Sequence, residues 1–515
     1  MIKNYKDSFS PSLNGEKFKK QNCQISYLVA YLSVIAVISF SGCKKWIDPG
    51  IPYNSLTGSS VYNENATATA VMTGLYSSIS SNSTVSAGGI QSLSLFLGLS
   101  SDELTYATGL SNINPTALAY YKNALNSNST ASYGAEYWTT LYTYIFKCND
   151  AIAGLNASTN LTPAVKKQLL GEAKFLRAFF YFYLVNLYGD VPLAISNDYK
   201  LNAVLPRTPK AQVYQQIIAD LTDAQGLLSS TYLDASLLNS YPERVRPTSW
   251  AATALLARTY LYYGNLTGDM SNYQNAEIQA STLISNNSMF SLGTLSNTFL
   301  KFSLGNNEAI WQLQPVGNNP ANTYDGYIFV MPSTGPGSVS NYGAYLSNNL
   351  VSSFEPADNR KTTWTGNITV AGTTYYYPFK YKISVPNAPV SEFPTLLRLG
   401  EQYLIRAEAR VQRGESNSID DLNTIRNRAG LPNYSGATDK ISLLSAILHE
   451  RQVELFAELG NRWLDLKRTG NLDALLGAGG VCAAKGGTWS TNWQLYPIPF
   501  LDIQTDPNLV QNTGY

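Results

Sequence analysis

Residues 162–193 restrict the folds open to this chain more than any other stretch. Thr162 can cap a helix, and Pro163 falls at the first helical position, where a missing N–H costs nothing. Gly189 can take a left-handed terminating conformation, and Pro192 prevents resumption. Between these signals, FLRAFFYFYLVNLY at 175–188 is apolar almost all round. A surface helix shows a single stripe, so this one is expected to be covered by other helices on most sides. It reads as the centre of an all-α domain.

The polar part of the chain carries unusually little charge. Its 36 basic and 35 acidic residues make 14% of 515, against roughly a quarter in ordinary soluble proteins. Asn, Ser, Thr, Gln and 36 tyrosines supply polarity instead. Such a surface releases few counterions from phosphates, which argues against nucleic acid as a partner and suits a neutral ligand.

The N-terminus reads as a targeting leader, residues 1–42. Five lysines and two acidic residues precede the apolar run 25–40 (ISYLVAYLSVIAVISF), and Ser41-Gly42-Cys43 follows at once. Small residues before a cysteine resemble the bacterial lipobox, which makes Cys43 the expected lipidation site, acylated with chains such as palmitate. A transmembrane anchor is the alternative, but 16 residues including three serines fall short of the roughly 20 that a span needs. Cleavage would leave 31 basic against 33 acidic residues and, with Cys43 taken up by lipid, two further cysteines, Cys148 and Cys482, expected as free thiols.

Helical signals recur along the mature chain. They place helices at 64–81 with a stripe of Val71, Leu75 and Ile79, at 133–155, and at 208–228, where Thr208-Pro209 repeats the opening of the central helix. Further helices are expected at 249–263 closed by Gly264, at 273–285, at 402–413 closed by Gly414, and at 418–429. A long one covers 441–469. Alanines at crossing points and glycines closing the first helix of a pair are the pattern of tetratricopeptide-like repeats. About four pairs stack into an α/α superhelix, interrupted at 287–395 by an irregular insertion with short β-like pieces at 309–314 and 373–379. Residues 83–131, rich in Gly, Ser, Asn and Thr, read as a long functional loop.

Catalytic chemistry finds no foothold. His449 stands alone and cannot supply a multi-histidine metal set, and no GxGxxG after a strand, P-loop, GxSxG or catalytic cysteine context occurs. The expectation is a protein that is not an enzyme, with no cofactor and no metal. Glu458, Arg462 and Asp465 are spaced i,i+4 and i,i+3 and read as a structural ion-pair network. Aromatic faces stack on sugar rings while amides and carboxylates bond their hydroxyls. The candidate ligand residues are therefore Tyr106 in the first loop and Tyr324, Asp325, Tyr327, Tyr342 and Tyr345 in the insertion, with Tyr375, Tyr376 and Tyr377 nearby in sequence.

Five stretches carry a family resemblance. EAKFLRAFFYFYLVNLYGDVPL (172–193), RPTSWAATALLARTYLYYGN (246–265), LLRLGEQYLIRAEARVQRGE with DLNTIRNRAGLP (396–432), ERQVELFAELGNRWLDLKRTG (450–470) and YPIPFLDIQTDPNLVQNTGY (496–515) together resemble the SusD/RagB family of outer-membrane nutrient-binding lipoproteins. The resemblance implies a single domain over 43–515, made of an N-terminal SusD-like part at 43–235 and a C-terminal SusD/RagB part at 236–515. It implies non-catalytic capture of an oligosaccharide by a lipid-anchored protein facing the cell exterior. The captured ligand passes to a SusC-like TonB-dependent outer-membrane transporter. A peptide-capturing branch, or a helical adaptor that only caps the transporter, are the alternatives. Arg177, Arg258, Arg406, Arg426, Arg462 and Asp465 are implied to be scaffold. Lys44-Lys45-Trp46 lacks the acidic residues often found after the lipidated cysteine, and Thr513 replaces a common proline.

Overall fold

The central helix is as enclosed as its sequence demands. In the computed structural model, which describes residues 61–81, 89–110, 113–316, 322–337 and 343–515, it spans Pro163–Tyr188, and every residue from Phe175 to Tyr188 is buried. Pro163 sits in the first turn and Gly189 ends the helix at φ +78°. Thr162 makes no side-chain cap. Its hydroxyl instead accepts from Asn65 at 2.8 Å, tying the start of this helix to the first described one. The leader, Cys43 and Tyr342 lie outside the described residues.

Helices are numbered here in chain order: α1 Asn65–Ser81, α2 Leu93–Ser100, α3 Pro115–Tyr121, α4 Glu136–Ala157, α5 the central helix, α6 Lys210–Leu227, α7 Ser249–Thr267 and α8 Met270–Ile284. They continue with α9 Tyr324–Phe329, α10 Leu399–Arg413, α11 Ser418–Arg428, α12 Lys440–Glu454 and α13 Asn461–Arg468. From α4 to α8 each long helix packs on the next; α8 then packs on α10, and α10 on α11 and α12. This is the tetratricopeptide-like α/α stack expected from the sequence. The central helix packs on both α4 and α6. Strands among the described residues form only two-stranded antiparallel pairs. Ser59–Tyr515 is one compact unit.

Several boundaries differ from expectation for identifiable reasons. The α1 stripe is Ala68, Met72, Leu75 and Ile79, with Val71 only half-buried. Thr208 does not cap α6, because it pairs with Val191 in a short ladder and Pro209 takes the cap position. Gly264 does not end α7. It is buried inside the helix, where a Cβ would lie 2.8 Å from the Tyr273 ring, so its role is close approach of α8; Gly268 is the left-handed terminator.

Two corrections are larger. Residues 83–131 are not one loop: LSLFLGLS at 93–100 is a helix with all eight residues buried. Its serines look loop-like in sequence, yet the leucines and Phe96 point all round, which is the mark of an interior helix. Nor is 441–469 one helix. It breaks after Glu454, where Ala457, Leu459 and Gly460 adopt φ of +51°, +49° and +72°. The break lodges against α2, whose Ser94 hydroxyl accepts from the Leu459 N–H at 3.1 Å.

The insertion is anchored through Trp311 on strand Ala309–Gln312. Its ring meets Phe175 and Phe179 of the central helix edge-on at 5.0 and 5.4 Å. Burying such an aromatic stabilises by about 1.5–3 kcal/mol.

Candidate functional site

The short helix α9 is built by local hydrogen bonds. Thr323 caps it, its hydroxyl accepting from Gly326 N–H at 2.9 Å. Asn322 clamps a second segment alongside, its carbonyl oxygen accepting from Ser391 N–H at 2.6 Å and Glu392 N–H at 2.9 Å. At Gly326 a Cβ would stand 2.6 Å from the Ile383 carbonyl oxygen, so glycine lets that strand-like segment approach.

A 280 Å³ cavity opens beside this helix. Tyr324 and Tyr327 supply its aromatic wall, Pro315, Pro386 and Pro394 its rigid rim, and Asn322, Thr323, Gln91 and Ser80 its polar groups. Among the described residues, no charged side chain lines it. The wall is pinned: the Ser80 hydroxyl donates to the Gln314 carbonyl at 2.6 Å, and the Gln91 amide donates to the Ser80 carbonyl at 2.6 Å. Tyr324 is nearly buried and Tyr327 half-buried. Such a wall can stack on the flat face of a neutral ring while the rim groups bond its hydroxyls.

The other sequence-derived candidates are placed elsewhere. Asp325 turns its carboxyl away from this cavity, toward Ser94, whose hydroxyl donates to it at 3.3 Å. Burial pushes that carboxyl up to about 8. Tyr106 is buried on a strand, its ring against Tyr121 at 6.3 Å and its hydroxyl accepting from Asn114 N–H. It has no face left for a ligand and belongs to the core. Tyr345, on the strand paired with that of Tyr106, is half-buried and meets Tyr375 edge-on at 5.1 Å; it does not line the cavity.

Glu458, Arg462 and Asp465 are ion-paired, but not with one another. The break after α12 removes the helical spacing between Glu458 and Arg462, whereas Arg462 and Asp465 keep theirs on α13 and are drawn to different partners. Arg462 bonds Asp102 at 2.7 Å, Asp465 bonds Arg451 at 2.7 Å and Arg468 at 2.9 Å, and Glu458 bonds Arg398 at 2.7 Å and Lys380. A buried cluster extends from this: Arg398 also reaches Glu308 and Glu454 at 2.7 Å each, and Arg360 reaches Asp358, Glu450 and Glu454. Burial opposes ionisation of Glu454, yet Arg428, Arg398 and Arg360 outweigh it and hold the carboxyl well below the usual range. Arg177 with Asp220, Arg258 with Glu401, Arg406 with Asp421 and Arg426 with Glu355 complete the scaffold pairs.

Larger grooves exist on the scaffold. One of 790 Å³ lies among α10, α12 and α13 and includes His449, whose Nε2–H donates to the Ser353 carbonyl at 2.9 Å. Another of 550 Å³ follows α4. Cys148 and Cys482 are free, buried thiols. Among the described residues no group of His, Cys, Asp and Glu could hold a metal, and no helix is long and apolar enough to cross a membrane.

Comparison with known proteins gives this arrangement a context. Residues 300–515 match the sequence model of the SusD family, and residues 101–261 match that of a family described as starch-binding associating with outer membrane. SusD-like protein P2 of Formosa agariphila is 27% identical over 428 residues, 74% of this chain and 80% of its own. The starch-binding protein SusD of Bacteroides thetaiotaomicron is 32% identical over 137 residues, 26% of this chain and 23% of its own. In fold, a SusD superfamily protein from Parabacteroides distasonis superposes with a TM-score of 0.72 at 24% identity, covering 90% of this chain and all of its own. A laminarin-binding SusD-like protein gives 0.70 at 23%, covering 88% of this chain and all of its own. With both sequence models falling in order along one helical stack that shares the fold of solved members, the chain belongs to the SusD/RagB family.

Proposed function

We propose that this protein captures a neutral oligosaccharide at the surface of the outer membrane and catalyses nothing. The observation that carries this reading is the cavity at Tyr324 and Tyr327, which combines aromatic walls and uncharged hydrogen-bonding groups, with no ionised side chain among the described residues that line it. Relatives named for starch binding and laminarin binding support the choice of a sugar. The mature chain is held by lipid on Cys43 and hands its ligand to a SusC-like TonB-dependent transporter. Stacking on one or two tyrosines plus a few hydrogen bonds gives affinity in about the micromolar range.

Isothermal calorimetry with laminarin and starch oligosaccharides tests the site. Tyr327→Ala removes the more accessible wall and is expected to weaken binding about tenfold, since one stacked ring contributes about 1 kcal/mol or somewhat more. The helical unfolding transition stays in place. Undiminished affinity in that variant would remove the cavity from the binding site, and a co-purifying barrel with no sugar bound by either protein form would favour a purely structural adaptor.

A further inference from the structure

A second cavity, 250 Å³ in volume, lies along the same helix as the first. Helix α1 presents Ser80 to the first cavity and Thr73, Tyr76 and Ser77 to the second. Thr73, Ser77 and Ser80 are spaced i, i+4 and i+7 and share one helix face, about 10 Å from end to end. Val316 lines both cavities, and the Gln314–Pro315 step between them is the one that Ser80 pins. Each cavity alone is below the roughly 300 Å³ at which whole-ligand pockets begin, whereas the pair falls within that range.

The second cavity has its own aromatic wall. Tyr241 is 38% exposed, with its backbone N–H fixed to the Tyr232 carbonyl at 2.9 Å. Tyr76 faces it across the opening, its hydroxyl donating to Glu172 at 3.1 Å. The one cation, Arg246, is already engaged: it donates to Glu172 at 2.8 Å and to the Thr73 hydroxyl at 2.7 Å. Asp234 at the rim forms no direct ion pair among the described residues; its hydrogen bonds are to Ser236 and Asn239, and the charge of Arg246 reaches it only through space. The local charge thus disfavours an anionic sugar and leaves a neutral one unopposed.

We infer that the ligand is an uncharged oligosaccharide that threads both cavities along α1, with Tyr327 and Tyr241 as stacking platforms of two successive subsites. This rests on the carbohydrate reading of the first cavity and adds length and charge selectivity to it. A disaccharide fills one subsite; a longer chain reaches Tyr241.

The test uses the mature protein with neutral gluco-, manno- and xylo-oligosaccharides of two and six units, and with oligogalacturonate and oligoalginate of six. A neutral hexasaccharide is expected to bind most tightly. Tyr241→Ala should weaken it about five- to tenfold, and weaken the matching disaccharide at least threefold less, with an unchanged melting curve. Asp234→Asn should narrow the gap between neutral and acidic hexasaccharides. If Tyr327→Ala abolishes hexasaccharide binding and Tyr241→Ala leaves it intact, the second subsite is refuted while the first stands. Preference for a uronate refutes the charge argument, and absence of binding to every sugar overturns both subsites together with the capture function.

Discussion

Replacing Asp325 with asparagine should flatten the dependence of stability on pH. The carboxyl is buried beside a 20 Å³ cavity faced by Gln91, Thr395 and Glu458, with one oxygen accepting from Ser94 and the other without a hydrogen-bond partner. Burial is the main cause that pushes it from 3.8 up to about 8; Glu458 adds to the shift, while Ser94 and Lys380 oppose it. The sign follows from proton linkage. Between these two values the native protein holds a proton that the unfolded chain has lost. The stability contribution is therefore complete below about pH 4 and lost progressively as pH rises to about 8. One pH unit inside the window is worth up to about 1.4 kcal/mol. From about pH 5 to about pH 6.5 the wild type should lose about 1–2 kcal/mol relative to Asp325→Asn, because the amide has no proton to release. Lys380, pushed down by burial to about 8, titrates above that interval, and Lys485, pushed down to about 7, is common to both proteins and cancels in the difference. Burial opposes ionisation of Glu458, which senses the Asp325 charge, but Arg398 and Lys380 outweigh it and hold that carboxyl below the usual range, so it stays ionised across the interval. The buried carboxyls not coupled to Asp325 cancel in the difference. The assay is equilibrium urea unfolding at the two pH values, followed by tryptophan fluorescence and by circular dichroism so that a single transition is verified. Parallel pH profiles for the two proteins would refute the burial argument.

Glu454→Gln withdraws the negative charge that Arg360, Arg398 and Arg428 share. It should destabilise by about 3–5 kcal/mol, read as a lower urea midpoint, because buried cations are left uncompensated. Cys43→Ser should move the protein from the membrane fraction to the soluble one; retention in the membrane would instead indicate that the apolar run at 25–40 spans the bilayer.

The scaffold was legible in the sequence wherever periodicity and punctuation agreed. The central helix shows this best, with Pro163, Gly189 and an apolar run that only interior packing explains. What escaped was decided by tertiary context. Helix α2 hid behind serines that serve as buried hydrogen-bond partners, as Ser94 does for Asp325 and Leu459. The break at 455–460 hid inside a continuous helical pattern, since Ala457 and Leu459 adopt positive φ with no glycine to announce them. Tyr324 and Tyr327 were separable from the other tyrosines only as part of an irregular insertion, and α9 then brings them to one cavity. Asp325 lies between them in sequence but points the other way, as helical geometry requires of neighbours. Tyr76 and Tyr241 carried no local signal, because their cavity is assembled from α1, residues 233–246 and residues 313–316.

The distribution of charge links stability to ligand chemistry. Glu308, Arg360, Lys380 and Arg398 come from the insertion and its exit strand, and their partners Glu454 and Glu458 come from the end of α12 and the break that follows. The ion pairs therefore clip an irregular segment to a regular scaffold. The same segment supplies Tyr324, Tyr327, Pro386 and Pro394 to the first cavity, so the cavity's shape depends on that clip while its lining stays free of charge. Placing charge in the interior and uncharged aromatic and amide groups at the opening suits a ligand recognised by shape and hydroxyls. It also explains how a chain with only 14% charged residues can hold so many buried ion pairs: its ionised groups mainly hold the scaffold together.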